Sequence, residues 1–455
     1  MITRMSYTTD DFIHNTPPRI MGSETEYTMQ QECITRNTKV LDSLNPAKFL
    51  CKFSPDSENS IWLKNGARLY VDYGDLCEYA TPESTTAHEV CAHERAGEIT
   101  VQQVTTTSNP GNDKVYKRTG YDDVYGDDGT QILSSNSAGH HENYYTPLAQ
   151  TTEKLYAISA LHSYLATRPI WSGAGMVGEF GYLISQKADA INYESKSNAV
   201  DHGNKMPHRL GANNRLEIRT GEGNMSDWAI IQKFAMTSLI LRLIEHGRFP
   251  HHLIPRTRQT EPTQLMRYLS YNPSASFQIG DYEMTAAQHQ KQLAEHAYDF
   301  AMEHITDIPV EEVTAAEEVL EACRQIDLVH DHSLPLHAIA DRIDWAAKLL
   351  FLHDKGIYDS QIKSANLDAV MFDLRWEDIS KRGISRLWYA KYQKPLLKPA
   401  EINRAEYTPP ATRAATRVKL VREAIDRCER TSLVDWNTIE LGSGLRSLSD
   451  PYQSD

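Results

Sequence analysis

Glu24-Thr25-Glu26 sits inside a run, residues 19–30, that alternates apolar and polar side chains as a strand does. Period-two geometry puts both carboxylates on one face. Side by side they repel, unless a hard divalent cation lies between their oxygens. Tyr70 and Asp72 repeat the spacing on a second run, and Glu78-Tyr79 follows shortly after Gly74. Acidic and phenolic oxygens converging from two strands suit magnesium-held phosphate and phosphoryl transfer. A spare carboxylate beside them would serve as general base for an amine. A solvated sheet face accounts for the same spacing, so these acids alone leave both readings open.

Other polar clusters carry less. In Gly139-His140-His141-Glu142-Asn143-Tyr144 the adjacent histidines of a strand point to opposite faces and do not chelate one ion. His330-Asp331-His332, beside Ser333-Leu334-Pro335, reads as a surface loop. With no CxxC pair and no HExxH, zinc is not expected. Arg215, Arg219 and the Gly221–Asn224 turn form a basic segment ahead of an apolar helix. It reads either as a phosphate contact at a helix start or as a surface turn with a helix cap. Neither a Walker-type GxxxxGK[ST] nor a GxGxxG after a strand is present, so any nucleotide is held by other means.

Two strands joined at Asn65-Gly66, a favoured hairpin dipeptide, are expected over 61–72. Helices are expected over 83–106, 149–166, 227–246, 310–325, 338–353 and 416–430, with a loop over 107–136. Strands that give way to helices suggest an α+β fold with a largely antiparallel sheet. Prolines at 395, 399, 409 and 410 mark a boundary. The expected organisation is a flexible arm over 1–18, a catalytic domain over 19–390 and a small C-terminal domain over 391–455.

The net charge of −14 argues against broad nucleic-acid binding, which needs a cationic face. Six cysteines without a paired motif suggest reduced thiols. The polar start of the chain lacks a secretory pattern, and the most apolar stretch, Phe234–Ile244, is short and interrupted by Arg242. A cytoplasmic protein without membrane or nucleic-acid partners is the expectation.

The ordered set of motifs is similar to the Pup ligase and depupylase family. Met21-Gly22-Ser23-Glu24-Thr25-Glu26-Tyr27 resembles its opening motif. Asn65-Gly66-Ala67-Arg68-Leu69-Tyr70-Val71-Asp72, followed by Glu78-Tyr79-Ala80-Thr81-Pro82-Glu83, resembles its second. Arg95-Ala96-Gly97-Glu98, His141-Glu142-Asn143-Tyr144, Gly173-Ala174-Gly175, Ser185-Gln186 and Gly223-Asn224-Met225 follow in order, and Thr412-Arg413-Ala414 comes last.

The resemblance implies a glutamine-synthetase-like fold, a curved antiparallel sheet cradling ATP and Mg2+ with helices behind it. It implies that ATP phosphorylates the γ-carboxylate at the C-terminal Glu of Pup, or of a Pup-like small protein. A lysine of a protein substrate then displaces the phosphate to form an isopeptide bond. Carried over by position, Glu24, Tyr70 and Glu78 are the magnesium ligands and Asp72 the catalytic aspartate. Glu26, His141, Asn143 and Arg215 are the further cofactor-binding candidates.

The six-position spacing from Asp72 to Glu78, and the short interval between Glu26 and Asn65, resemble the ligase branch. A depupylase or deamidase using the same site is the alternative, and a ligase for another small carboxylate the second. Three departures stand out: Leu76-Cys77 precede Glu78 where the family has His-Pro, the run Asp201–His208 is replaced, and Glu217 stands where a histidine is expected.

Overall fold

The computed structural model describes residues 18–29, 49–52, 60–72, 76–108, 114–119, 124–125, 131–133, 138–188, 208–211, 213–254, 262–427, 431–435, 437–442 and 444–454. The expected arm, apart from Pro18, and the replaced run Asp201–His208, apart from His208, lie outside the described residues.

A nine-stranded sheet organises the chain. Its strands are β1 (Met21–Met29), β2 (Phe49–Lys52), β3 (Ser60–Leu63), β4 (Arg68–Asp72), β5 (Leu76–Ala80), β6 (Val115–Tyr116), β7 (His140–Tyr145), β8 (His208–Leu210) and β9 (Arg215–Ile218). The order is β8-β9-β7-β1-β5-β4-β3-β2, with β6 pairing the far end of β1, and every pairing is antiparallel. The β3–β4 hairpin turns at Asn65-Gly66 as expected, with Gly66 at φ 82°. A Cβ there would be strained and would also lie 3.0 Å from Ala414. Asn65 fixes the turn by accepting from the Ala67 amide at 3.0 Å and donating to the Tyr79 hydroxyl at 3.0 Å.

Alternation along each strand splits the sheet into two unlike faces. Thr25, Tyr27, Tyr79, His140, Glu142, Tyr144, Leu216 and Ile218 point one way and are buried. Behind them pack helices α1 (Ala87–Ser108), α2 (Lys154–Thr167) and α3 (Asp227–Glu245). The next layer is α4 (Ala286–Glu303) and α5 (Val310–His330). Here two of the sequence motifs are structural. Glu142 pairs with the buried Arg168 at 2.6 Å and accepts from the Tyr144 hydroxyl at 2.7 Å. Arg95 bridges Glu98 and Asp227, each at 2.7 Å. Removing one member of such a pair costs about 3–5 kcal/mol, because the other charge stays buried.

Several boundaries shift. Pro147–Gln150 is a 3-10 turn, so α2 starts later than expected. The helix α5 runs on to His330, which therefore closes a helix rather than lying in the loop read from the sequence. Helix α6 is Asp344–Asp354, preceded by a 3-10 turn at Leu336–Ala338. The expected loop over 107–136 carries β6 and a small pairing of Val124–Tyr125 with Gln131–Leu133.

Helix α7 (Pro399–Tyr407) packs on α1. After it come α8 (Arg413–Asp426) and a three-stranded sheet of Thr431–Asp435, Thr438–Leu441 and Gly444–Ser447. Trp62 of β3 packs with Val421, Ala424, Ile439, Leu441 and Leu448 of this segment. Glu83, just past β5, pairs with Arg413 at 2.6 Å and with Arg417 at 2.5 Å. No helix among the described residues is long and apolar enough to cross a membrane.

Candidate active site

The face of the sheet turned away from α1 and α3 carries the acids, and its register decides which of them meet. Glu26 lies opposite Glu78, and Glu78 opposite Tyr70, so one row crosses β1, β5 and β4. The Tyr70 hydroxyl donates to Glu78, and the Gly139 amide donates to Glu26 at 2.7 Å. In the next row, His141 lies opposite Glu24, and Glu24 opposite Ala80. Beyond it come Gly22, Asn143 and Glu217. Asp72 pairs with Leu76 in the β4–β5 register. Its side chain lies outside the described residues. The structure thus brings Glu24, Glu26, Tyr70, Glu78, His141, Asn143 and Arg215 onto one face.

Small residues among the charged ones leave a depression. Gly22 and Ala80 floor a cavity of about 360 Å³ whose walls include Glu24, Asn143, Arg215 and Glu217. Arg413, Asn437, Ser449 and Pro451 close it from the C-terminal segment.

Charges within it are paired. Arg215 holds Glu24 at 2.8 Å and donates to Asn143 at 2.7 Å. His141 Nδ1 stands 3.7 Å from Glu24. Burial alone would raise the Glu24 pKa, but Arg215 and His141 outweigh it and bring the carboxyl down to about 2. Glu24 is therefore ionised at neutral pH. Tyr70 is pushed far above the usual phenol range, first by burial and then by Glu78, so it stays a protonated donor. At the other end of the row, buried Lys187 donates to the Ala138 carbonyl at 2.6 Å. Burial lowers its pKa, against the pull of Glu26 and Glu222.

Among the described residues no three His, Cys, Asp or Glu side chains already converge as a metal cage. Magnesium does not demand one, since it keeps waters and takes one or two carboxylates plus phosphate oxygens. The row Glu26–Glu78–Tyr70, with ionised Glu24 beside it, is an oxygen donor set of that kind and fits the ion.

A family model described as Pup-ligase protein matches residues 19–440. The chain belongs to the Pup-ligase family. Among curated relatives, a Pup–protein ligase of Micrococcus luteus is 30% identical over 93% of this chain and 92% of its own length. A Pup–protein ligase of Acidimicrobium ferrooxidans is 29% identical over 96% of each chain. Two solved structures share the fold at 22% identity. A complex between the prokaryotic ubiquitin-like protein Pup and its ligase PafA has a TM-score of 0.74, covering 96% of this chain and 90% of that one. PafA in complex with ADP has a TM-score of 0.70, covering 87% and 88%. The glutamine-synthetase-like α+β fold expected from the motifs is the one this Pup-ligase family member has.

One segment of this Pup-ligase chain corrects the sequence reading. Gly221–Asn224 is not a surface turn, for Glu222 is 1% exposed and Asn224 fully buried. The start of α3 is not open to an anion either. The Asp344 carboxylate already accepts from the amides of Met225 and Ser226, each at 3.1 Å. Arg215 sits on β9 instead, on the cavity wall. A residue not assigned to the site lines the cavity: Glu217, which pairs with Arg219 at 2.7 Å. Residues 215 and 217 share a face of β9, and that alternation is the signal that could have found Glu217.

Proposed function

We propose that this chain is an ATP-dependent ligase that joins the γ-carboxylate at the C-terminal Glu of Pup to the amine of a protein lysine. One observation carries the reading. An ionised Glu24 lines a cavity that the C-terminal segment helps to close, and on the same sheet face runs a row of oxygen donors, Glu26–Glu78–Tyr70, in a Pup-ligase chain. The cavity is assigned to the nucleotide, with its phosphates toward Glu24 and Arg215.

The chemistry follows from the groups. A carboxylate is a poor acylating agent, so it needs a phosphate leaving group. A lysine amine is protonated at neutral pH and must lose its proton before it attacks. Asp72, at the end of β4, is assigned to accept that proton. Glu24, Glu78 and Tyr70 are assigned to hold magnesium, with Tyr70 acting as a neutral oxygen ligand. The ion would neutralise charge on the transferring phosphoryl group. Arg215 and Asn143 orient Glu24, while Glu26 and His141 border the phosphates. A cytoplasmic setting is consistent with the buried free thiols Cys77, Cys91 and Cys323.

The test combines the purified chain with magnesium, ATP, Pup ending in Glu and a lysine-bearing protein, with preformed conjugate in a parallel reaction. Conjugate formation with matching ADP release is expected. Loss of preformed conjugate without steady ATP consumption would overturn the reading.

A further inference from the structure

Six charged residues line the cavity among those described, and they can be balanced one by one. Glu83 is held by Arg413 at 2.6 Å and Glu24 by Arg215 at 2.8 Å. Glu217 is held by Arg219 at 2.7 Å, with Arg215 at 3.9 Å. The sixth is Arg209 on β8, which is exposed and forms no hydrogen bond or ion pair among the described residues. Its cross-strand neighbour is Glu217, whose carboxylate is already engaged. The cavity therefore carries one uncompensated cation.

The backbone that carries Arg209 is tied down on both sides. Alternation turns His208 to the opposite face, where it is buried and its Nδ1 shares a hydrogen bond with His162 Nε2 at 3.1 Å. The turn from β8 to β9 is held to β7, since the Thr146 amide donates to the Asn214 carbonyl at 2.8 Å and the Asn214 side chain to the Tyr145 hydroxyl at 3.3 Å. Arg209 also stands apart from the magnesium row. One row, Arg209–Glu217–Asn143–Gly22, crosses β8, β9, β7 and β1, which puts the Arg209 backbone roughly 14 Å from β1 at the usual strand spacing. The C-terminal segment closes one corner of the cavity, Glu24 marks the corner of the phosphates, and Arg209 occupies a third.

A C-terminal glutamate brings two carboxylates to this site. The γ-carboxylate is converted to the acyl phosphate, whereas the α-carboxylate stays charged throughout and needs a partner once it leaves water. A planar guanidinium matches a carboxylate with two parallel hydrogen bonds. We propose that Arg209 is a specificity-determining residue that binds the α-carboxylate of the terminal glutamate. The enzyme then selects a free C-terminus over an amidated one. The proposal rests on the ligase reading of this site.

The experiment measures conjugation to a lysine-bearing protein by the purified full chain with magnesium and ATP, using two donors. One is Pup ending in Glu with its α-carboxylate free. The other is the same Pup with that α-carboxylate converted to a primary amide and the γ-carboxylate intact. Wild type is expected to prefer the free acid by about tenfold or more in kcat/KM, the worth of a hydrogen bond to a charged group. Arg209→Gln is expected to lose about tenfold on the free acid, mainly through KM, and to treat the two donors nearly alike. Arg209→Lys is expected to keep part of the preference, and it covers the case in which the glutamine variant does not fold. ADP affinity by calorimetry in magnesium is expected to be unchanged in both variants. An equal loss on both donors in a folded variant overturns the proposal, as does a wild type that does not discriminate between them. Weakened ADP binding overturns it as well and gives Arg209 to the nucleotide. A wild type that conjugates neither donor overturns the ligase reading itself, and this proposal with it.

Discussion

Glu83→Gln tests how the C-terminal segment is held over the cavity. Glu83 pairs with Arg413 and Arg417, and Arg417 is itself 1% exposed and stacked 4.7 Å over the Trp62 ring. Burial would raise the Glu83 pKa, but the two arginines bring it down to about 2 from the ordinary 4.5. At 1.36 kcal/mol per unit that difference is worth about 3 kcal/mol at pH 7. Stranding a buried charge by removing its partner costs about 3–5 kcal/mol, so the two routes agree. The sign follows from the depressed pKa. The contribution is complete above pH 4.5 and is lost as pH falls toward 2, leaving about 1.4 kcal/mol at pH 3. Urea unfolding of wild type and Glu83→Gln at pH 7, 5 and 3 reads this directly. The expected gap is about 3 kcal/mol at pH 7 and 5, shrinking by about half at pH 3. A gap below about 1 kcal/mol at pH 7, typical of an exposed pair, would refute the reasoning, as would a gap independent of pH. Arg413 also lines the cavity, so the variant is expected to bind ADP more weakly as well.

Other outcomes follow from single groups. Asp72→Asn is expected to abolish conjugation while ADP binding by calorimetry largely survives; wild-type turnover would remove Asp72 from the mechanism. Tyr70→Phe deletes the hydroxyl that donates to Glu78 but keeps the ring under Arg68, 4.4 Å away. The expected result is a fold stable to within about 1 kcal/mol, the net worth of one hydrogen bond, with magnesium dependence shifted to higher concentration. Buried Lys233 is lowered to about 8, chiefly by burial, so between pH 8 and 10.5 the unfolded chain binds more protons than the folded one. Stability of wild type relative to Lys233→Met is therefore expected to rise from pH 8 to 10, and a flat difference in denaturation midpoint would contradict that shift.

What the sequence made legible is local. The alternation of Glu24 with Glu26 and of Tyr70 with Asp72 needs only period two, and Asn65-Gly66 announces its own turn. The apolar face of α3 needs only its 3.6-residue period. Register is different, because the pairing of Glu26 with Glu78, and of Glu78 with Tyr70, depends on how β1, β5 and β4 align. That is a property of the whole sheet. The Gly221–Asn224 segment shows the same limit from the other side. Its composition reads as a surface turn, yet Asp344, 118 to 120 residues along the chain, supplies the carboxylate that accepts from the buried Asn224 side chain and from the amides of Met225 and Ser226 just after it.

Charge was the least legible property. Arg95, Glu98, Glu142 and Arg168 look like a hydrophilic surface in the sequence. They are affordable in the core only because each meets its partner within 2.7 Å. On the cavity wall the same pairing rule has the opposite meaning. Glu24 pairs with Arg215, whose side chain is 39% exposed, so solvent and ligand can compete for that pair as they cannot for the core pairs. A carboxylate–arginine pair seen in this fold therefore reads as structure or as function according to which face of β1, β7 and β9 carries it.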